Sequence, residues 1–154
     1  MFPATLKSSV LWPIISNHDT ANSTNPPLTL PTFLNFTLPT NGEAGGVPSG
    51  TEKYYSFDYG GAHFVCLDSQ TSLNSTNAPM LAWLEQDLAR NHRNWVIVTC
   101  ANPPYGHVGN DTDTMPRDVA VRNYILPILE AHGVDLFFAG DDHGYERSYL
   151  MNGH

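Results

Sequence analysis

Basic residues are scarce in this chain: seven Lys and Arg stand against fifteen Asp and Glu, for a formal charge of −8. Such a surface repels phosphate backbones and anionic headgroups, so neither nucleic acid nor a membrane is an expected partner. Charge of either sign is thin, at 14% of residues against about 25% in typical globular chains. Long apolar runs are missing too, since nothing approaches the roughly 20 residues that a bilayer-crossing helix needs. The N-terminus lacks the charged, apolar and small-residue order of a secretory leader. Only two cysteines occur, Cys66 and Cys100, both within apolar runs of β character. Two buried free thiols are the favoured reading and a disulfide is the alternative; neither residue is placed as a nucleophile.

At 154 residues and 41% hydrophobic content, the chain can bury one core, and residues 1–154 read as one unit. Asn, Thr, Pro and Gly are abundant, as in extracellular proteins with long ordered loops. Asn-x-Ser/Thr sequons begin at Asn22, Asn35, Asn74 and Asn110, so a secreted or extracellular glycoprotein is expected. The negative charge also disfavours phosphate-ester substrates unless a bound cation reverses the local field. A phosphatase reading therefore requires a metal.

Val10 to Ile15 reads as a buried strand delivering Ser16-Asn17-His18-Asp19 at its end. Residues 20–50 show neither a helical nor a strand period and read as a long loop excursion. Lys53 to Asp58 and Ala62 to Leu67 are β-rich runs around Tyr59-Gly60-Gly61, the pattern of a hairpin. Pro79 opens a segment in which Met80, Leu81, Trp83, Leu84 and Leu88 recur at helical spacing, with Asn91 at its end. Trp95 to Thr99 predicts a strand that runs into Cys100-Ala101-Asn102-Pro103-Pro104-Tyr105. A second helical face runs from Val119 to Leu129, bent at Pro127 and closed by Gly133, and Val134 to Ala139 predicts a last buried strand. This order implies an α/β fold, a layered sheet with flanking helices and polar loops gathered at one sheet edge.

Three predicted strand ends carry oxygen and imidazole donors of the kind that bind hard or borderline cations. They are Asn17, His18 and Asp19; Asn102 with His107 nearby; and Asp141, Asp142 and His143. The run Gly140-Asp141-Asp142-His143-Gly144-Tyr145-Glu146-Arg147, directly after an apolar strand, is too long and specific for turn chemistry alone. By contrast, Asn17-His18-Asp19 taken alone is more often a turn or cap than a ligand set.

Together these blocks resemble the calcineurin-like metallophosphoesterases, and among them the purple acid phosphatases. That family carries a Gly-Asn-His-Asp block, a His-rich Pro-Pro-Tyr loop after a strand, and a Gly-His-x-His-x-Tyr-Glu-Arg block. Tyr54 to Asp58 and His63 to Asp68 resemble its central hairpin, and Trp83 to Leu88 its helix. The resemblance implies that Asn17 and His143 are metal ligands, with Asp141 a third at a position where the family has histidine; the donor chemistry of the strand ends adds Asp142, His107 and Asn102 as candidates. It implies that His18, with Asp19, is catalytic, stabilising the transition state or protonating the leaving alcohol, and that Tyr145, Glu146 and Arg147 support the centre from behind. The implied cofactor is Fe, Zn or Mn, and the implied substrate is a small phosphorylated molecule.

Three departures alter that expectation. The family's loop histidine falls on Ala101, and the first histidine of its last block falls on Asp141. Its two upstream aspartate blocks have no counterpart among the sixteen residues before Asn17, so the chain reads as a middle-to-C-terminal part of the domain. A centre lacking bridging carboxylates and one histidine is expected to hold one metal weakly, or none, because two nearby cations need anionic ligands to offset their repulsion. The leading expectation is a degenerate metal-dependent phosphoesterase acting on phosphate monoesters. A non-catalytic phosphatase-like module is the second. The third is a metal-independent hydrolase of glycosides or esters that draws a carboxylate pair from Asp19, Asp68, Asp141 and Asp142. Exposed sheet edge and apolar surface further predict a homo-oligomer.

Overall fold

The structure, a computed structural model, describes residues 7–20, 30–71, 73, 78–106 and 115–149. Two short helices, α1 (Asn17–Thr20) and α2 (Pro31–Asn35), precede a hairpin of β1 (Tyr55–Tyr59) and β2 (Ala62–Cys66). Helix α3 (Pro79–Arg90) leads to β3 (Trp95–Cys100). A continuous helical rod follows: α4 (Pro116–Ala120), a π-helical turn (Val121–Ile125) and α5 (Leu126–Ala131). It leads to β4 (Leu136–Ala139). The sheet order is β1-β2-β3-β4, antiparallel at β1–β2 and parallel at β2–β3 and β3–β4. The expected α/β sheet with flanking helices is what forms.

Local chemistry explains these boundaries. Pro79 sits in the first turn of α3, where its missing N–H has no helical partner to lose, and the Asn91 N–H closes the helix on the Leu88 carbonyl at 3.2 Å. Gly60 turns the hairpin at φ 58°, and Gly133 ends the last helix at φ 64°, both in the left-handed region that glycine enters freely. Pro127 cannot donate to the turn before it, and the widened π-helical turn lies immediately upstream, so the rod continues through the proline.

The register assigns every strand residue to one of two faces. Val65, Val96, Val98, Cys100 and Phe137 lie on the face covered by α3 and the 116–131 rod, and with Leu84, Val121 and Ile125 they form the main core. Leu84, Val98 and Ile125 have no exposed surface, and burial of such a side chain contributes about 1.5–3 kcal/mol. The other face carries Tyr55, Phe57, Phe64 and Cys66, covered by Trp12, Ile14, Phe36 and Leu38. Trp12 stacks on Phe57 at 4.0 Å and Phe57 on Phe64 at 4.9 Å. On that same face the β3–β4 end is open: Trp95, Leu136 and Phe138 are 57%, 45% and 57% exposed.

Two expectations are corrected or sharpened. Val10 to Ile15 is not a strand. Among the described residues it has no ladder partner, Pro13 lacks a donor, and Val10 is 76% exposed, although Ile15 is buried. Asn17 therefore enters a helical turn and does not leave a strand end. Cys66 and Cys100 are free, because Cys66 pairs with Thr99 in the ladder and the next residue, Cys100, points to the opposite face. Burial pushes both thiols up, to about 11 and about 12, which makes them inert.

Candidate active site at the carboxyl ends of the strands

Because β2, β3 and β4 run parallel, their carboxyl ends lie at one edge of the sheet, where α/β folds place ligands. Short ladder extensions carry the chain past each end: the Leu67 N–H bonds the Thr99 carbonyl and the Gly140 N–H bonds the Ala101 carbonyl, both at 2.9 Å. Asp68-Ser69-Gln70, Ala101-Asn102 and Asp141-Asp142 are thereby brought side by side.

Asn102 is the hub. Its Nδ2 donates to Asp118 Oδ1 at 3.1 Å and to Asp141 Oδ2 at 3.0 Å. Its Oδ1 accepts from the Ser69 hydroxyl at 2.9 Å and from Gln70 Nε2 at 2.8 Å, and its own N–H bonds Ser69 Oγ at 3.1 Å. Asn102, Ser69, Gln70 and Asp118 are all buried. Asp68, 1% exposed, accepts the Gln70 and Thr71 N–H groups and the Thr71 hydroxyl, so it caps its own loop. Burial raises Asp118, the Asn102 amide opposes that, and the nearby Asp141 and Asp142 carboxylates push it further, to about 6. The Pro103-Pro104-Tyr105 loop is tied to the helical rod by Arg122, whose Nε donates to the Pro104 carbonyl at 3.0 Å and whose guanidinium lies 4.5 Å above the Tyr105 ring.

The sequence-predicted residues divide accordingly. Asn102 and Asp141 meet directly, with Asp142 adjacent. Asp141 and His143 both hold positive φ, at 71° and 53°, a conformation seldom adopted by non-glycine residues and often found at functional sites. His143, Tyr145, Glu146 and Arg147 are exposed. The Asn17 Oδ1 accepts from the Ser16 hydroxyl at 3.0 Å and the His18 N–H at 2.9 Å, and His18 is exposed. Asp19 accepts the Ser16 N–H and the Thr32 hydroxyl, both at 2.9 Å, and so acts as a cap. His107 lies outside the described residues. Sequence reasoning missed Asp118, Ser69 and Gln70. No motif marks them, and only the close passage of the 116–131 rod and the β2 loop past Asn102 brings them in.

Whether these side chains suit the family's metals can be tested on the donor set. Ala101 offers no side-chain ligand atom, Asn17 Oδ1 is turned onto its own loop, and an N–H donor stands between the two closest carboxylates. Among the described residues, no group of three or more His, Cys, Asp and Glu side chains could hold a metal ion. These residues as arranged do not fit a dinuclear centre.

A family model described as calcineurin-like phosphoesterase matches residues 9–145. The chain belongs to that family, with the sheet and strand-end loops described above as its part of the fold. Its similarity lies with the purple acid phosphatases. It is 32% identical to purple acid phosphatase 13 of Arabidopsis thaliana over 88% of this chain and 24% of the relative. It is 29% identical to an acid phosphatase of Aspergillus ficuum over 88% of this chain and 30% of the relative. It is 30% identical to the Arabidopsis protein named probable inactive purple acid phosphatase 9 over 77% of this chain and 19% of the relative. The chain thus spans less than a third of the length of these relatives.

Proposed function

We propose that this chain carries a degenerate phosphoesterase site of purple acid phosphatase type, directed at small phosphate monoesters. The observation that carries the reading is the meeting of the second and third family blocks at one sheet edge, through the 3.0 Å contact of Asn102 with Asp141. The exposed His18 imidazole would donate the proton to the leaving alcohol, and the carboxyl-end loops would orient the ester. The family chemistry is that of Fe, Zn or Mn polarising a phosphoryl oxygen; no step is assigned to such an ion here, because the described donors do not assemble around one. Hydrolysis of p-nitrophenyl phosphate by the purified protein supplied with Mn²⁺, Fe³⁺ or Zn²⁺ tests the reading. Turnover above a His18→Ala control is expected, and none above it overturns the proposal.

A second reading, a non-catalytic phosphatase-like module, is favoured by Ala101 and by the Asn102 amide between the carboxylates. Calorimetry with phosphate monoesters separates the two, since binding without turnover supports the module. The metal-independent carboxylate hydrolase is weakened by the capping duties of Asp19 and Asp68. Secretion and glycosylation belong to the same proposal, supported by the exposed sequon at Asn35, whose occupancy a glycosidase mobility shift would reveal.

A further inference from the structure

We infer that the Asn102 carboxamide takes the place of a cation between Asp118 and Asp141, so that this corner of the site is closed by hydrogen bonds and does not take a divalent metal. Acidic side chains from two elements converge on one point, an arrangement that in a metal centre a cation would hold together. Here the two N–H groups of one amide do so, one to each carboxylate, at 3.1 and 3.0 Å.

The orientation of that amide is fixed from its other side. Oδ1 accepts from Ser69 Oγ and Gln70 Nε2, both donors, at 2.9 and 2.8 Å. Flipping the amide would set Oδ1 against two carboxylates and Nδ2 against the Gln70 Nε2 donor, losing three of the four bonds and keeping only one to the Ser69 hydroxyl, which can also accept. All four hydrogen-bonding positions of the amide are in use, and Asn102 is only 3% exposed. A cation bridging the two carboxylates would need to sit within about 2.0–2.6 Å of their oxygens, in the space the N–H groups already fill and against their positive ends. The preceding residue does not change this, because Ala101 contributes only a carbonyl, already accepting the Gly140 N–H at 2.9 Å.

Asn102 is thus a positioning residue. It clamps the loop after β4 to the loop after β3 and to the 116–131 rod, and it sets the place of Asp141 without metal. The inference rests on the reading of this sheet edge as the phosphoesterase site, but it concerns what holds the edge together and stands apart from turnover.

Two measurements on the metal-stripped chain test it. In the first, the Asn102 side-chain NH₂ signals are followed by ¹⁵N NMR during titration with Zn²⁺. Two separate, exchange-protected protons with unchanged shifts are expected, and their movement or loss with saturation overturns the inference. In the second, thermal unfolding is recorded with and without Zn²⁺ or Mn²⁺. The wild type is expected to show no shift. Asn102→Asp, which adds a carboxylate beside Asp118 and Asp141, is expected to gain a midpoint shift of about 5–10 °C at a hundredfold excess over its Kd, absent in the Asn102→Asp/Asp118→Asn double variant. A saturable shift in the wild type that Asp118→Asn removes would overturn the proposal, as would a folded Asn102→Asp without one. If Asn102→Asp fails to fold, the NMR titration of the wild type decides. Hydrolysis of p-nitrophenyl phosphate in the same wild-type sample keeps the two ideas separate. Turnover with moving Asn102 signals rejects the amide clamp alone, and static signals without turnover reject the phosphoesterase reading alone.

Discussion

Replacement of Asp87 by alanine offers the sharpest test of what holds the fold together at the edge opposite the candidate site. Asp87 comes from α3 and is 1% exposed. Its Oδ1 accepts the Val47 N–H at 2.6 Å and the Ser56 hydroxyl at 3.0 Å, while Oδ2 lies 2.9 Å from His63 Nε2. The other ring nitrogen of His63 lies 2.8 Å from Asp58 Oδ1, and Asp58 is in turn paired with Arg93 at 2.9 Å. One carboxylate therefore joins α3, both hairpin strands and the glycine-rich loop before them. Asp87→Ala leaves the buried His63 Nε2, the Val47 N–H and the Ser56 hydroxyl without their shared acceptor, and breaking a buried pair from one side costs about 3–5 kcal/mol. That is a large share of the roughly 5–15 kcal/mol that stabilises an ordinary domain, and corresponds to a midpoint drop of about 6–20 °C. Urea unfolding followed by tryptophan fluorescence and circular dichroism measures it, and a loss below about 1 kcal/mol refutes the reasoning.

The same network has a pH signature. Burial alone would lower His63, but its bonds to Asp87 and Asp58 outweigh burial, and the net effect raises it above the ordinary histidine value of about 6.5. A histidine raised on folding contributes stability that is fully present below about pH 6.5 and is lost as pH climbs through its folded value. The stability difference between wild type and Asp87→Ala is therefore expected to be largest at mildly acidic pH and to shrink towards pH 9. A difference that grows with pH would show that His63 is not the cation in this network.

Further outcomes follow from other contacts. Gly46 holds φ 81°, and a Cβ there would lie 1.9 Å from Ser56 Oγ and 2.6 Å from Asp87 Oδ1, so Gly46→Ala is expected to cost about 3 kcal/mol or more in urea unfolding, and a neutral result refutes the packing. Burial, with the neighbouring Asp141 and Asp142 carboxylates, pushes Asp118 up to about 6, above the ordinary carboxyl value, so its contribution falls as pH rises from about 4 to 6. In metal-free protein, Asp118→Asn is expected to be the more stable form at pH 7–8 and equal to wild type at pH 4, and the reverse order in thermal scans refutes it. The open strip of Trp95, Leu136 and Phe138 beside β4, whose outer edge has no ladder partner among the described residues, is expected to drive self-association, weakened by Phe138→Lys. Sedimentation showing a monodisperse wild-type species of 17.0 kDa refutes that expectation.

The pattern of the chain by itself determined the elements whose chemistry is local. Two β-rich runs around Tyr59-Gly60-Gly61 placed the hairpin, helical spacing after Pro79 placed α3 from its first residue to its end at Asn91, and apolar runs placed β3 and β4. The family blocks also marked the carboxyl ends of β3 and β4 as the place to look for chemistry. Val10 to Ile15 defeated the same reasoning, because a short apolar run becomes a strand only when another strand offers it a ladder, and that is a tertiary fact. Only the folded chain decided that Asp118 from the helical rod and Ser69 and Gln70 from the β2 loop would meet Asn102. It likewise decided that Asp87 and Asp58 would flank His63. Such contacts join residues 16 to 33 positions apart around Asn102, and no periodicity or motif in a linear sequence records which polar atoms packing will bring within 3 Å.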